Sequence, residues 1–187
     1  MSFDHDGFLD PDEVLRLDEL ALTNLNTGMD LGLVVESGGA PVEGESTRAY
    51  HDGKPHLNLL GYWVYTKQVQ QGSNQKYKAA SSSLIVLRHA DAATGSLYSL
   101  LNNGKIDVKA TVQVFRTGGQ QSASEILPVL EIIASEARVA NLVSYTSPRT
   151  QQACEAIFFA FRKLEVKSAP QQATGQRGAV RTCAMTQ

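Results

Sequence analysis

The clearest pattern in this chain is the alternation of apolar and polar residues between Ile106 and Val114. Successive side chains of a β-strand point to opposite faces of a sheet, so this alternation predicts a strand with one face on a core. The other face would meet water or a partner. Its polar positions are Asp107, Lys109, Thr111 and Gln113.

A short helix is predicted immediately before this strand. Leucines recur at helical spacing from Leu97 to Leu101, and Gly104 is typical of the residue that ends a helix. Thr94 is placed to cap the first backbone N–H groups of this helix. A further strand predicted at 83–88 completes a strand–helix–strand unit in which no residue pattern indicates catalysis.

A second, longer helix is predicted over residues 9–25. Asp10 is a favourable N-cap, Pro11 suits the first helical position, and Glu13 completes a pattern similar to a capping box. The apolar residues that follow form one stripe, so this helix needs a surface to pack against, either on its own barrel or on a neighbouring subunit. The stripe consists of Val14, Leu17, Leu20, Ala21 and Leu25.

The rest of the chain contains segments typical of β-strands, separated by a loop of about twenty residues at 37–56 and a polar connection at 71–80. The last strand carries apolar side chains on both faces, which indicates a barrel buried by neighbouring molecules. The tail from Ser168 onward is predicted to be a mobile arm or a short added strand. The strand segments are 30–36, 57–68, 125–137, 139–145 and 156–166.

The composition and charge of the chain argue against several classes of function. With 42% hydrophobic and 19% charged residues, the chain has the make-up of an ordinary globular domain. Its net charge of −2 and scattered basic residues argue against a protein that holds nucleic acid. Cys154 and Cys183 lack a C-x-x-C spacing, which favours structural thiols in a reducing compartment. We find neither an apolar stretch of about 18 residues that would span a membrane nor a classical signal peptide.

The loop at 37–56 contains two sequence features that resemble chemical sites. His51 and His56 lie five residues apart, but no third ligand is placed near them, so solvated or interface histidines are favoured over a zinc site. Gly44-Glu45-Ser46 begins like a serine nucleophile elbow, yet it lacks the final glycine and the strand-to-helix context. We therefore predict no catalytic, cofactor or metal residue.

Calcium binding near the N-terminus stays open as an alternative. Residues 2–13 place acidic and glycine residues at the spacing of an EF-hand loop, although Ser2 stands at the first ligand position and no helix precedes it. The same acidic residues also suit the N-terminus of the helix that follows. The matching positions are Asp4, Asp6, Gly7, Leu9 and Glu13.

Five short segments, taken in order, carry a resemblance to a known family. They are Gly44-Glu45-Ser46, the aromatic strand with Gly61 and Trp63, residues 94–119 (TGSLYSLLNNGK through RTGG), residues 130–133 (LEII), and residues 160–166 with Lys163 and Glu165. Residues 29–182 resemble the haemolysin-coregulated protein (Hcp) family, the inner-tube subunit of bacterial type VI secretion. The chain departs from this pattern at Ile132, which stands where the family has an acidic residue, at 138–150, and in the first 28 residues.

The resemblance implies a mainly β fold: a small antiparallel β-barrel with one flanking α-helix, here with an N-terminal helical extension. It implies a structural protein rather than an enzyme, closing into hexameric rings that stack into a hollow tube. The implied partners are the contractile sheath, spike and baseplate proteins, with secreted effectors as cargo. The protein would be cytoplasmic during assembly and then secreted without a signal peptide. A tail tube of a phage-like or extracellular contractile injection system, and a secreted Ca²⁺-dependent binding module, are the alternatives.

We therefore divide the chain into an N-terminal extension at 1–28, an Hcp-like barrel at 29–168 and a flexible tail at 169–187. The loop between Pro41 and His56 is the predicted ring-stacking element, because a long polar loop on a small barrel needs a partner to stay ordered. Its candidate contact residues are Glu45, Thr47 and Arg48.

Overall fold

The computed structural model describes residues 10–23, 29–46, 50–71, 76–116, 127–170 and 178–187. The described helices are α1 (Pro11–Thr23) and α2 (Thr94–Asn103). The described strands are β1 (Met29–Ser37), β2 (Ala40–Pro41), β3 (Leu57–Asn58), β4 (Gly61–Trp63), β5 (Thr66–Gln71), β6 (Lys76–Ser81), β7 (Leu84–His89), β8 (Val108–Arg116), β9 (Leu130–Thr146), β10 (Ala153–Ser168) and β11 (Arg181–Thr186). The mainly β, antiparallel class predicted from the sequence is confirmed.

The main sheet runs in the order β2-β1-β8-β9-β10-β7-β4, and its two ends are brought together by one segment. In residues 57–63, β3 pairs with β1 and β4 pairs with β7. Between these strands, the Leu59 N–H donates to the Leu31 carbonyl at 3.2 Å and the Leu60 N–H donates to the Leu87 carbonyl at 2.8 Å. The backbone pairing therefore runs from β1 across the sheet to β7 and, through residues 57–63, back to β1. The strands enclose one core. Its fully buried members include Leu33, Leu84, Leu97, Val112, Ile157 and Phe159.

Helix α2 forms where the leucine spacing predicts it. Leu97 is fully buried in the core, and Gly104 ends the helix with a left-handed φ of 61°, its N–H donating to the Leu100 carbonyl. The predicted Thr94 cap is wrong. The hydroxyl of Thr94 accepts the N–H of Asp91 at 3.2 Å, whereas the N-cap position, Ala93, makes no side-chain cap.

Strand β8 begins at Val108, and both of its faces are largely covered. Thr111, Gln113 and Phe115, on the face predicted to meet water or a partner, are buried. The aromatic rings of Tyr50 and His56 contact Phe115 on this face, with ring centroids 4.8 and 6.2 Å away. The alternating pattern thus gave the correct strand, but the chain's own loop covers the second face.

The prediction that the aromatic segment at 57–68 forms one strand is wrong. It is divided into β3, β4 and the start of β5, and the supposed polar connection at 71–80 contains β6. Strands β5 and β6 form a separate two-stranded antiparallel sheet, registered from Thr66↔Ser81 to Gln71↔Lys76. Polar residues dominate both strands, so the sequence carries no apolar alternation to indicate them.

The last third of the described chain also differs from the prediction. The strands predicted at 125–137 and 139–145 form one strand, β9, in which Glu136 has a φ of 48°. A register shift between Phe158 and Phe159 marks an irregularity where β9 pairs with β10. Strand β11 pairs with Lys163–Ser168 of β10, so 181–186 is the short added strand that was one of the two predictions for the tail, and not part of a flexible tail.

Helix α1 covers the outer apolar face of β7 and β10. The Asp10 carboxylate accepts the Asp12 N–H at 3.0 Å, as expected of an N-cap. Val14, Leu17 and Ala21 are buried against this face, whereas Leu20 is 46% exposed. The apolar outside of β10, attributed to neighbouring molecules, is therefore covered by the chain's own helix. The opposing side chains are Leu60, Ile85, Leu87, Cys154, Ala156 and Phe158; Leu9 and Leu25 lie outside the described residues.

A buried carboxylate fixes α1 to the end of β9. Asp18 accepts hydrogen bonds from the Tyr145 hydroxyl at 2.9 Å and the Ser147 hydroxyl at 2.7 Å. Burial and the contact with Asp18 both raise the pKa of Tyr145, because a phenolate beside a carboxylate is unfavourable. The hydroxyl therefore stays protonated and keeps donating to Asp18. No helix among the described residues is long and apolar enough to cross a membrane.

Candidate assembly site

We call residues 41–56 the stacking loop, after the role predicted for them from the sequence. This loop is attached closely to the domain at its first end. The Glu45 N–H donates to Asp91 Oδ2 at 3.2 Å, while the Glu45 side chain is exposed. A Cβ at Gly44 would lie 2.6 Å from Leu57 Cδ2 and 2.7 Å from Asp91 Oδ2. Only glycine allows the loop to approach this closely. The Gly44-Glu45-Ser46 motif therefore has a structural role in the turn that presents Glu45.

Asp91 connects this end of the loop to a buried ionic cluster. The Arg88 guanidinium is 1% exposed; it forms ion pairs with Asp91 and, at 3.4 Å, with the fully buried Glu155. Burial raises the pKa of Glu155, and the Arg88 charge opposes that rise. Burial also acts to raise the pKa of Asp91, but its hydrogen bonds, first of all that from Arg88, hold it below its ordinary value. Arg88 thus lies between two carboxylates next to the core and favours the charged form of both.

The second end of the stacking loop is held by aromatic stacking. The rings of Tyr50 and His56 stack with centroids 3.9 Å apart, and Tyr50 also contacts Phe115. His56 Nε2 lies 3.0 and 3.1 Å from the two carboxylate oxygens of Asp52. A Cβ at Gly32 would lie 2.6 Å from His56 Nδ1, so Gly32 provides the space that this ring fills. Both ends of the loop are therefore built into the domain.

The buried His56 makes the stability of this loop depend on pH. Burial lowers the pKa of His56 below its ordinary value of 6.5, although the hydrogen bond and charge of Asp52 raise it. The other charged or titratable neighbours are His51, which lowers the pKa of His56, and Asp30, which raises it. The unfolded chain binds this proton at a higher pH than the folded chain does. The contribution of neutral His56 to stability is therefore fully present above about pH 6.5 and is lost as the pH decreases.

We expect the melting temperature to fall between pH 7 and pH 5, and His56→Gln to reduce that fall. The pKa of Asp52 is lowered, so its own contribution is lost below its ordinary value of 3.8, outside this range. Thermal unfolding of the wild type and His56→Gln at matched pH values is the measurement. His51→Gln, at an exposed position, is the control and should keep most of the wild-type dependence, because burial lowers the pKa of His56 more than His51 does. An unchanged slope in His56→Gln would contradict this explanation.

Of the predicted stacking residues, the structure places Glu45 on the exposed part of the loop. Thr47 and Arg48 lie outside the described residues. The histidine pair separates into two roles: His56 is buried beside Asp52, while His51 is exposed and contacts the edge of Phe115. Among the described residues, no group of three or more His, Cys, Asp or Glu is placed to hold a metal ion. Residues 2–9 of the calcium-like stretch also lie outside the described part.

Sequence reasoning missed the Arg88 cluster and the Asp52–His56 pair. The sequence does contain one signal for the Arg88 cluster, an arginine and an aspartate three residues apart at the end of an apolar strand. Both cysteines are free, and Cys154 Sγ lies 3.4 Å from His89 Nδ1. Burial raises the pKa of the Cys154 thiol, which disfavours the nucleophilic thiolate. This contact therefore belongs to the packing under α1.

A sequence model of the family described as "Type VI secretion system effector, Hcp" matches residues 33–167. The chain belongs to the Hcp family. Helix α1 and strand β11 lie outside the matched range. No curated protein sequence matches it.

Solved structures of Hcp proteins share the fold at low sequence identity. Hcp1 from Salmonella typhimurium is 15% identical, with a TM-score of 0.61; the alignment covers 84% of this chain and 95% of that one. A type VI secretion system effector from Yersinia pestis is 20% identical, with a TM-score of 0.57, covering 82% of this chain and 98% of that one. Hcp1 from E. coli EAEC 042 is 10% identical, with a TM-score of 0.61, covering 83% and 97%.

Membership of the Hcp family assigns this chain to the tube of the type VI secretion system. Hcp proteins are secreted structural subunits that associate with themselves, and the hexameric ring expected from the sequence fits the family. The match does not favour the alternatives of a phage-like or extracellular tail tube, or of a calcium-dependent binding module.

Proposed function

We propose that rings of this Hcp chain stack through the stacking loop, with Glu45, Thr47 and Arg48 at the contact between rings. The observation that carries this proposal is the attachment of the loop at both ends, at Asp91 and at His56, while Glu45 is exposed between them. Binding costs conformational entropy when a mobile segment becomes ordered, and a loop fixed at its ends loses less.

Charge at the contact gives the proposal a direct test. We expect Glu45→Arg to form rings of normal size that stack into fewer or shorter tubes, because a reversed charge at a repeated interface opposes every stacking step. Sedimentation and negative-stain microscopy separate rings from tubes. A deletion of 45–52 is less informative, since it also removes Tyr50 and Asp52, which hold His56.

Glu19→Arg is a matched control for this experiment. Glu19 is an exposed glutamate of α1, outside the residues matched by the family model, and its Oε1 lies 3.9 Å from Arg149 Nη2. Its reversal should leave tube length unchanged. If Glu45→Arg formed tubes of wild-type length, Glu45 would not lie at the contact between rings.

The proposed assembly also defines its partners. A tube that is driven outward needs a contractile sheath around it, a baseplate to start it, a spike at its tip and effectors as cargo. Such a subunit works by assembly and performs no covalent chemistry. We place its assembly in the cytoplasm, before secretion.

A further inference from the structure

The imidazole ring of His56 fills an enclosed site under the second end of the stacking loop. Its side chain is fully buried between the ring of Tyr50 and the backbone of Gly32. Tyr50 and Phe115, whose rings contact it, are themselves only 5% and 2% exposed. The closed position of this end of the loop therefore depends on the imidazole ring staying in place.

The surroundings of this ring suit its neutral form. Nε2 lies 3.0 and 3.1 Å from the two carboxylate oxygens of Asp52, so the neutral ring carries its proton on Nε2 and donates it to that carboxylate. Nδ1 is buried and has no hydrogen-bond partner among the described residues. It faces Gly32 so closely that a Cβ there would lie 2.6 Å away. A second proton, on Nδ1, would be buried without an acceptor, which is unfavourable.

The charged and titratable groups around the ring only partly offset this cost. Tyr50, His51 and Asp52 face the ring from its own loop, and Asp30 faces it from β1. The two carboxylates favour the protonated ring and His51 opposes it, while the residue of β8 in contact with the ring is uncharged. Burial has the largest effect, so the pKa of His56 lies below its ordinary value of 6.5 in the closed loop. An imidazole ring released into water has that ordinary value.

We propose that protonation of His56 opens the second end of the stacking loop, so that acid separates stacked rings. This inference rests on the stacking role proposed above for the loop. Opening is coupled to the uptake of one proton, so the open form is favoured increasingly as the pH falls below about 6.5. The first end stays attached over this range, because the pKa of Asp91 lies below its ordinary value of 3.8 and its carboxylate keeps accepting the Glu45 N–H.

An open loop weakens stacking through the entropy of binding. Once its second end is released, the loop loses the fixed position of its residues beyond Glu45, and each contact between rings must order them again. Tyr50 and Phe115 also become accessible to water. Every subunit of a ring carries the same histidine, so the loss is repeated around the ring. A modest change in one loop thus becomes a large change in the stability of a tube.

Hydrogen–deuterium exchange of unstacked rings measures the opening itself. Exchange of residues 50–56 is followed between pH 7 and pH 5, corrected for the intrinsic chemical rate, and compared with that of α2. From pH 7 to pH 5.5 we expect the opening equilibrium of 50–56 to rise at least about threefold, as the uptake of one proton allows, and that of α2 to stay constant. His56→Gln should remove the rise, and His51→Gln should keep most of it. An absent rise, or an equal one in His56→Gln, would overturn the proposal.

Asp52→Asn keeps the imidazole ring and tests the same coupling in the opposite direction. The Asp52 carboxylate favours the protonated ring in the closed loop, so its removal makes the closed loop accept the second proton less readily. The opening equilibrium should then rise more steeply with acid than in the wild type. If Asp52→Asn loosened the loop by the same factor at every pH, Asp52 would support the loop without any coupling to His56, against the proposal.

Tube length shows whether opening separates the rings. Sedimentation and negative-stain microscopy of wild-type tubes should give shorter tubes and more free rings at pH 5.5 than at pH 7, whereas His56→Gln should keep its tube length. Wild-type tubes of equal length at both pH values would refute the link between opening and stacking. Loop exchange is measured without stacking, and Glu45→Arg is compared with the wild type at pH 7. This inference and the proposed stacking role therefore fail separately.

Discussion

Replacing Arg88 with methionine is expected to lower the free energy of unfolding by about 3–5 kcal/mol, the typical cost of removing one partner from a buried ion pair. The substitution leaves Glu155, which is fully buried, without its counter-charge. It also removes the partner of Asp91, whose carboxylate holds the Glu45 N–H. The same change should therefore loosen the first end of the stacking loop.

Urea unfolding of three variants checks this expectation. Arg138→Met, at an exposed position of β9, should change stability by no more than about 0.5 kcal/mol. Adding Glu155→Leu to Arg88→Met should recover a large part of the loss, because an uncompensated carboxylate is then absent. If Arg88→Met were as stable as Arg138→Met, the cluster would have no role in stability.

Leu17→Ala in α1 is expected to cost about 2–4 kcal/mol of unfolding free energy. Leu17 is 4% exposed and packs among the side chains that join α1 to β7 and β10, so its truncation leaves a cavity under the helix. Leu15 lies on the opposite side of α1 and is 39% exposed. Leu15→Ala is therefore a matched control on the same helix, with an expected change of about 0.5 kcal/mol or less.

The same pair of variants shows whether α1 is part of the domain or an accessory. Equal stabilities for Leu17→Ala and Leu15→Ala would mean that the helix does not contribute to the cooperative unfolding unit. Chemical denaturation followed by the fluorescence of Trp63, which lies beside the α1 packing cluster, reports on both.

Elements with strong local signals could be predicted from the sequence. The acidic cap at Asp10 and the apolar stripe after it indicated α1, and the leucine spacing with Gly104 indicated α2. The alternation up to Val114 indicated β8. In each case the residues that define the element lie within a few positions of one another, so no knowledge of distant contacts was required.

Features that depend on distant contacts could not be predicted. Thr111 and Gln113 look like solvent-facing positions, yet both are buried, and the loop at 50–56 returns over the same face of β8 at Phe115. The double-faced apolar pattern of β10 was attributed to neighbouring molecules because nothing in the sequence says that α1 lies on it. The β5–β6 hairpin was missed because its strands are mostly polar and carry no core-facing alternation.

The candidate site could likewise be predicted only in part from the sequence, because its fixed geometry depends on distant contacts. A long polar loop and the Gly44-Glu45-Ser46 motif indicated this region as the candidate site, and Glu45 is exposed there. What fixes the loop, however, comes from Asp91 and Phe115, which are far along the chain from it. His56 could be recognised as a histidine in a polar loop, but its burial beside Asp52 depends on the space at Gly32.

The hydrogen bonds that hold Asp18 have a consequence for the folding of this protein during its synthesis on the ribosome. Tyr145 and Ser147 follow Asp18 by 127 and 129 residues. At the usual translation speed, these hydroxyls emerge roughly 10 seconds after the helix they will hold. During that interval only part of the surface that covers the apolar stripe of α1 has been made, namely Leu60, Ile85 and Leu87. Helix α1 is thus made well before the complete surface that holds it, and part of its apolar stripe stays uncovered until the end of β9 and the start of β10 have been made.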